Sequence, residues 1–153
     1  MRVVIISRDG VARIQELAGG SPQRADDLRK LLERAARDGG DEAVDLGLIA
    51  RLEPLLLAVA DARWWGEKVE AVSPEARAVL TTLAEAQGAA QVGVLADSLG
   101  KQRTTVAMLI GGLIQAGLVR RMAPGIVGLA DPTLRRYLQR VAEEAAQEAE
   151  TED

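Results

Sequence analysis

Five consecutive residues carry side chains suited to the backbone and base edges of a nucleic acid: Lys101, Gln102, Arg103, Thr104 and Thr105. Lysine and arginine bind phosphate oxygens, and arginine also donates two hydrogen bonds to a guanine edge. Threonine offers a hydroxyl group to phosphate and a methyl group to thymine. Met108 follows one turn later, and Arg120 and Arg121 follow after a short gap. These residue types suit contacts with nucleic acid, although a solvated helix surface would carry them as well.

Other chemistries lack the side chains that they require. The 153 residues include no histidine and no cysteine, which removes Ser-His-Asp and Cys-His catalysis and the usual nitrogen and sulfur metal sites. No pair of carboxylates stands in a context that supports acid–base chemistry. We therefore expect a protein that is not an enzyme and that holds no metal. The aromatic residues Trp64, Trp65 and Tyr137 are too few for a base-stacking surface.

Charge is distributed unevenly along the sequence. The chain has 19 basic and 23 acidic residues, for a net charge of −4. Residues 74–140 hold eight basic and four acidic residues, whereas residues 141–153 hold six acidic and no basic residues. The basic region favours nucleic-acid binding, although a solvated arginine-rich surface explains the same counts. The longest apolar run, 55–60, is too short to span a membrane, so we expect a cytoplasmic protein with no membrane partner.

Helices dominate the predicted first half of the chain. Ser21-Pro22 predicts a helix to about residue 38, because serine caps the first turn and proline needs no hydrogen-bond acceptor there. Residues 3–6 predict a buried strand, and Asp9 is expected to cap a helix over about 10–18. Asp45 is expected to cap a short helix through residue 52. Pro54 is expected to break that helix before a new one covers about 54–70.

The second half predicts three helices, a hairpin and a last helix. Ser73-Pro74 begins the first of the three, and together they cover about 74–87, 92–99 and 102–116. Val106, Leu109 and Leu113 form the predicted buried face of the third helix. Two strands follow at 118–122 and 126–129, joined by a type II turn that requires a positive φ at Gly125. The last helix begins at Asp131-Pro132 and becomes acidic towards its end.

Three helices followed by a two-stranded hairpin is the element order of a winged helix. Residues 92–119, VGVLADSLGKQRTTVAMLIGGLIQAGLV, closely resemble the winged helix-turn-helix superfamily, within a region of about 74–130. The resemblance implies that the third helix enters the major groove and that the residues named above contact DNA. Alternation along a strand lets only one of Arg120 and Arg121 face the DNA. Gly111-Gly112 inside the third helix predicts either a close neighbour or a bend.

A second resemblance covers the start of the chain. Residues 5–52, IISRDGVARIQELAGGSPQRADDLRKLLERAARDGGDEAVDLGLIARL, look like the helical lid of an AAA+ type ATPase, a family that includes origin-recognition types. The resemblance implies that a winged helix often follows the lid. The chain has no phosphate-binding loop, so ATP would be a cofactor only through a separate ATPase core. Arg24 is the candidate nucleotide-sensing residue, although the family's arginine often stands at the position of Gln23.

The predicted fold class is mainly α. It comprises a helical N-terminal subdomain, a winged helix with three helices and a two-stranded β-wing, and a C-terminal helix. The predicted limits are 1–53 for the lid-like subdomain, 54–72 for a connecting helix, 73–131 for the winged helix, and 132–153 for the C-terminal helix and acidic tail.

Three functional interpretations stay open at this point. In the first, the chain is the lid and winged-helix part of an ATPase, or a short relative of one, and it binds duplex DNA in replication or transcription. In the second, it is a dimeric transcriptional regulator that pairs through Leu56, Trp64, Leu138 and Val141. In the third, the winged helix binds protein and not DNA. The candidate interface residues are Trp64, Trp65, Tyr137 and Leu138, and one of the two tryptophans is expected to pack between the two halves.

Overall fold

The structure, a computed structural model, describes residues 3–151 and divides into two compact units. The first unit extends through Ala60, and the second begins at Asp61. The chain is mainly helical with small sheets, as predicted. Within residues 3–151, none of the helices combines the length and the apolar character that crossing a membrane requires.

The first unit contains three helices and a two-stranded parallel sheet. Its elements are β1 (Ile5–Ile6), α1 (Arg8–Leu17), α2 (Pro22–Asp38), β2 (Ala43–Val44) and α3 (Leu46–Asp61), whose last residue belongs to the second unit. β1 pairs with β2 in the register Ile5 to Ala43 and Ile6 to Val44. The amphipathic face of α2 buries Leu28 and Leu32 completely in the core.

The predicted helix starts of the first unit are partly correct. Ser21 Oγ accepts a hydrogen bond from the Arg24 backbone N–H at 3.4 Å, and Pro22 is the first residue of α2, as expected. Asp45 caps α3 by accepting from the Leu48 N–H at 2.9 Å, also as expected. The prediction for Asp9 is wrong, because Ser7 lies in extended backbone before Arg8 and its hydroxyl accepts from the Gly10 N–H.

Two other predictions for the first unit are wrong in whole or in part. Residues 3–6 were expected to form a buried strand; a strand is present at Ile5–Ile6 and Val4 is buried, but Val3 and Ile5 are 82% and 68% exposed, because a sheet this narrow leaves one face uncovered. Pro54 was expected to break a helix, but α3 continues through it. Proline removes the hydrogen bond to the Ala50 carbonyl, whereas burial of apolar side chains on both sides of it stabilises the helix as a whole.

The second unit places helices on a three-stranded antiparallel sheet. Its elements are a π-helical turn (Ala62–Gly66), α4 (Glu67–Glu70), α5 (Pro74–Glu85), β3 (Ala89–Gln91), α6 (Val92–Leu99), α7 (Arg103–Gln115), β4 (Val119–Ala123), β5 (Ile126–Leu129) and α8 (Pro132–Thr151). The strand order is β3-β5-β4. Its fully buried core includes Leu80 and Leu83 of α5, Leu95 of α6, and Ile110 and Leu113 of α7.

The local signals of the second unit are largely confirmed. Ser73 Oγ accepts from the Ala76 N–H at 3.2 Å and caps α5. Gly125 has a φ of 73° between β4 and β5, as a type II turn requires. Two details differ from the prediction. Ile110, rather than Leu109, is buried between Val106 and Leu113, and β3 adds a third strand to the expected two.

Buried polar contacts attach α8 to the start of this unit. Asp61 is completely buried, and its two carboxylate oxygens accept from Arg136 Nε and Nη2, each at 2.7 Å. Arg140 Nη1 lies 3.6 Å from the same carboxylate. The indole Nε1 of Trp65 donates to Thr133 Oγ1 at 2.9 Å. The acidic end of α8, from residue 141 to residue 151, is exposed, and residues 152–153 of the predicted tail lie outside the described residues.

Candidate nucleic-acid interface

α7 buries one side and presents the predicted DNA-contacting residues on the other. Val106, Ile110 and Leu113 anchor the helix in the core of the second unit. The residues singled out from the sequence are exposed or half-buried: Lys101, Gln102, Arg103, Thr104, Thr105 and Met108. The helix is therefore held by its apolar face, and its first turns are open to solvent.

The stretch of sequence that includes α7 contains no carboxylate. Residues 98–130, the acid-free segment, have no aspartate or glutamate and four basic residues, Lys101, Arg103, Arg120 and Arg121. These four cations form no ion pair with any carboxylate in residues 3–151. Unpaired cations raise the local positive potential, which attracts a polyanion even when the whole chain is acidic.

Arg103 is positioned by a glycine on the neighbouring helix. A Cβ atom added to Gly93 would lie 2.7 Å from Arg103 Nη2, so the guanidinium group rests directly against this glycine. The two residues line a depression of about 390 Å³, together with Gln91, Pro124 and Gly125. Gly93 was not identified from the sequence, because its role depends on how α6 packs against α7 and no local motif signals it.

The two arginines on β4 point to opposite faces of the sheet. Arg120 is opposite Gly128 of β5, and Arg121 is opposite Val127, so the pairing follows the expected alternation. Both side chains are exposed. A ligand that lies on one face of the sheet can therefore contact one of these guanidinium groups and not the other.

Gly111 and Gly112 lie in the middle of a continuous helix. No heavy atom lies within 4 Å of a Cβ added at either position, leaving aside α7's own backbone within four residues. These glycines predicted either a close neighbour or a bend; the described part of the chain supplies no close neighbour, and the helix runs through the pair without interruption. Each glycine costs about 1 kcal/mol of helix stability relative to alanine.

The other predicted site residues have roles inside their own units. Trp65 and Leu138, predicted as interface residues, are buried in the core of the second unit, because the Trp65 indole and α8 pack there. Trp64 and Tyr137 are half-buried against the same core. Burial, reinforced by the Glu70 and Glu144 carboxylates, raises the pKa of Tyr137, which keeps its phenol neutral.

The structure also places three further residues that were named from the sequence, Arg24, Leu56 and Val141. Arg24 is half-buried in the first turn of α2. Leu56 is buried in the first unit, and Val141 of α8 is 40% exposed. The part of the chain that the structure describes brings no group of three metal-ligating side chains together.

A protein family matches the region that contains this surface. Residues 63–138 match the family described as Domain of unknown function (DUF8462). The match includes α5, α6, α7 and the three-stranded sheet, and it ends at Leu138, the last buried residue of α8. No curated protein matches the chain. The family description states no function, so the chemistry of the surface has to carry the functional argument.

Proposed function

We propose that this chain binds duplex DNA through the exposed side of α7. The observation that carries the proposal is the acid-free segment, whose four cations lie at the start of α7 and on β4 and have no carboxylate partners in the described chain. Phosphate groups supply most of the attraction in sequence-independent DNA binding, and unpaired lysine and arginine side chains are the groups that neutralise them.

The order of elements supports a winged helix as the scaffold. Helices α5, α6 and α7 precede the β4-β5 hairpin, and β3 extends the hairpin on the side of β5. In a winged helix the last of the three helices enters the major groove. α7 has the corresponding position in the chain, and its exposed first turn contains the residues predicted to contact DNA.

The residues of the proposed interface have two roles: some bind phosphate groups and position the protein on the duplex, and others contact base edges. Lys101 and Arg103, at the start of α7, are placed to contact phosphate. One of Arg120 and Arg121 adds a third phosphate contact from β4, since their opposite faces prevent both from acting together. Thr104, Thr105 and Met108 present small polar and apolar groups to base edges. With about three phosphate contacts, log K should fall with log[salt] with a slope of about −3.

A binding measurement on labelled duplex DNA tests the proposal. The full chain is titrated against duplexes of mixed sequence at about 50 mM salt, and binding is followed by fluorescence anisotropy. We expect Lys101→Ala combined with Arg103→Ala to lower the affinity at least about tenfold. The matched control is Arg34→Ala with Arg51→Ala, which removes two exposed arginines from the first unit. Failure of the unmodified chain to bind any duplex at this salt concentration refutes the proposal.

A second candidate function is protein binding by the same surface. Met108 is 80% exposed, and the turn between β4 and β5 contains only Pro124 and Gly125, with no charge for the minor groove. Apolar contact with a protein partner resists salt, whereas DNA binding weakens with it. Partner binding that persists at about 500 mM salt, without DNA binding at 50 mM, would favour this second function.

A further inference from the structure

The exposed side of α7 carries side chains that are better suited to apolar contact with methyl groups than to hydrogen bonding. Thr104, Ala107 and Met108 are spaced by three and four residues, so they share one side of the helix, and all three are exposed. Met108 is 80% exposed although it is a large apolar residue in the middle of this side. A thioether side chain adapts its shape to an apolar group placed against it.

Apart from the Thr104 hydroxyl group, hydrogen-bonding side chains are absent from the same side. Between Thr105 and Gln115 the helix contains only apolar residues and glycine. The guanidinium group of Arg103 rests against Gly93 of α6. The bidentate contacts that arginine makes with guanine, and that asparagine or glutamine makes with adenine, therefore have no side chain to form them in the middle of α7.

The remaining base-edge feature in the major groove is the methyl group at C5 of a pyrimidine. Apolar side chains and the methyl group of threonine contact this group in thymine. Gly111 and Gly112 have no Cβ, and no heavy atom outside the neighbouring α7 backbone lies within 4 Å of a Cβ built at either position, so the helix backbone can approach the groove closely there. Lys101, Arg103 and one of Arg120 and Arg121 supply the charge that complements the DNA backbone around this apolar side.

From these observations we infer that α7 selects duplex DNA with C5-methyl groups in the major groove, read by Met108, Ala107 and Thr104. The inference rests on the proposed DNA binding and adds the class of DNA site that α7 selects. Two pyrimidines carry this methyl group, thymine and 5-methylcytosine. The shared chemistry is the methyl group, and the experiment separates its two sources.

Four synthetic duplexes of equal length provide the test. An alternating A-T duplex is compared with the same duplex in which uracil replaces thymine, which removes the methyl group and keeps the pairing. An alternating G-C duplex is compared with its 5-methylcytosine counterpart. Burying one methyl group corresponds to about a fourfold change in affinity. We therefore expect the full chain to bind the thymine duplex about threefold to tenfold more tightly than the uracil duplex.

Variants at Met108 locate the reading side chain. Met108→Gln keeps the length of the side chain and replaces the apolar end with an amide, and it should reduce the thymine-to-uracil ratio towards one. Met108→Leu remains apolar and should keep most of the ratio. Met122→Gln is the matched control, because Met122 is also an exposed methionine, on β4, and should leave the ratio unchanged. Both sites are exposed, and a circular dichroism spectrum verifies that each of the three variants is folded.

Each outcome of the test has a definite meaning. A preference for the methylated member of both pairs supports methyl recognition in general, and a preference in the A-T pair alone assigns it to thymine. Equal affinity for both members of both pairs overturns the inference and leaves the DNA-binding proposal intact. If Met108→Gln keeps the same thymine-to-uracil affinity ratio as the unmodified chain, the proposed role of Met108 in contacting the methyl group is overturned. Absence of binding to all four duplexes refutes the proposed function itself.

Discussion

The arginines of α2 and those of the acid-free segment have opposite environments. On α2, Arg29 lies between two carboxylates, with Nη1 2.8 Å from Glu33 Oε1 and Nη2 2.5 Å from Asp26 Oδ1. Lys30 pairs with the same Asp26 at 3.0 Å. In the second unit, Arg103, Arg120 and Arg121 have no described carboxylate within ion-pair distance. Arginine therefore forms local ion pairs on α2, whereas the arginines of the acid-free segment stay available to bind a ligand.

This difference separates structural charges from charges that can bind a ligand. A paired arginine presents little net charge to its surroundings, so a phosphate group has to displace a carboxylate to reach it. An unpaired arginine exchanges only water and loosely held counterions for the phosphate, and the released counterions favour binding. The comparison predicts that variants of the acid-free segment change binding, whereas variants of paired charges leave binding unchanged and change stability strongly only where the pair is buried.

The largest expected effect on stability comes from the buried pair in the second unit. Asp61→Asn removes the carboxylate charge and leaves the Arg136 guanidinium without its counter-charge. Breaking such a pair by removing one partner should lower the free energy of unfolding by about 3 kcal/mol. Urea unfolding followed by tryptophan fluorescence measures this unit, because both tryptophans lie in it. Asp97→Asn at an exposed position is the control, and a loss no larger than that of the control would contradict the prediction.

The next effect distinguishes the two faces of β4. Arg120→Glu and Arg121→Glu change the chain's net charge equally, but the side chains point to opposite faces of the sheet. One variant should weaken duplex binding by about tenfold or more, and the other by much less, since only one position faces the phosphate backbone. Anisotropy titrations of both variants at one salt concentration measure the difference. Equal losses would show that long-range charge, and not contact, determines binding.

A smaller effect is expected at the glycines of α7. Gly112→Ala should raise the free energy of unfolding by up to about 1 kcal/mol, because alanine favours the helix and no atom obstructs the new methyl group. The same urea experiment measures the gain. If the helix backbone approaches DNA at this position, the stabilised variant should also bind duplexes more weakly. An unchanged or lower stability would show that the helix is constrained at this position.

The smallest effect is expected for the exposed ion pairs of α2. Arg29→Ala should barely change the thermal midpoint, because exposed ion pairs contribute little and salt screens them. Arg29 and Lys30 lower the pKa of Asp26, so this pairing stabilises the fold above the ordinary carboxylate pKa and is lost as the pH falls through the lowered value. Calorimetry of both chains at neutral and acid pH measures the difference, which should shrink at acid pH. A large loss of stability at neutral pH would contradict this assignment.

Local signals in the sequence predict those parts of the fold that short-range contacts determine. Ser21 and Ser73 mark helix starts correctly, because a cap depends on residues three positions apart. β3, with the sequence AAQ, has no β-branched or aromatic residue, and it forms because β5 pairs with it. The prediction of a helix break at Pro54 is wrong for the same reason, because packing on both sides of the proline outweighs its local tendency to end a helix.

The sequence predicts which residue types form the candidate site, but it does not predict how they are arranged in space. The cations and threonines of 101–105 were identified from their chemistry and from the position of α7 in the element order. The contact between Gly93 and Arg103 depends on how two helices cross, which no short motif encodes. The open space around Gly111 and Gly112 likewise emerges only from the packed structure.

The salt dependence of duplex binding tests the central claim most directly. Affinities of the unmodified chain and of the Lys101→Ala, Arg103→Ala variant are measured between about 50 and 200 mM salt. A plot of log K against log[salt] should have a slope of about −3 for the unmodified chain and about −1 for the variant, because two phosphate contacts are lost. Equal slopes for the two proteins, or a slope near zero for the unmodified chain, would contradict DNA binding by the acid-free segment.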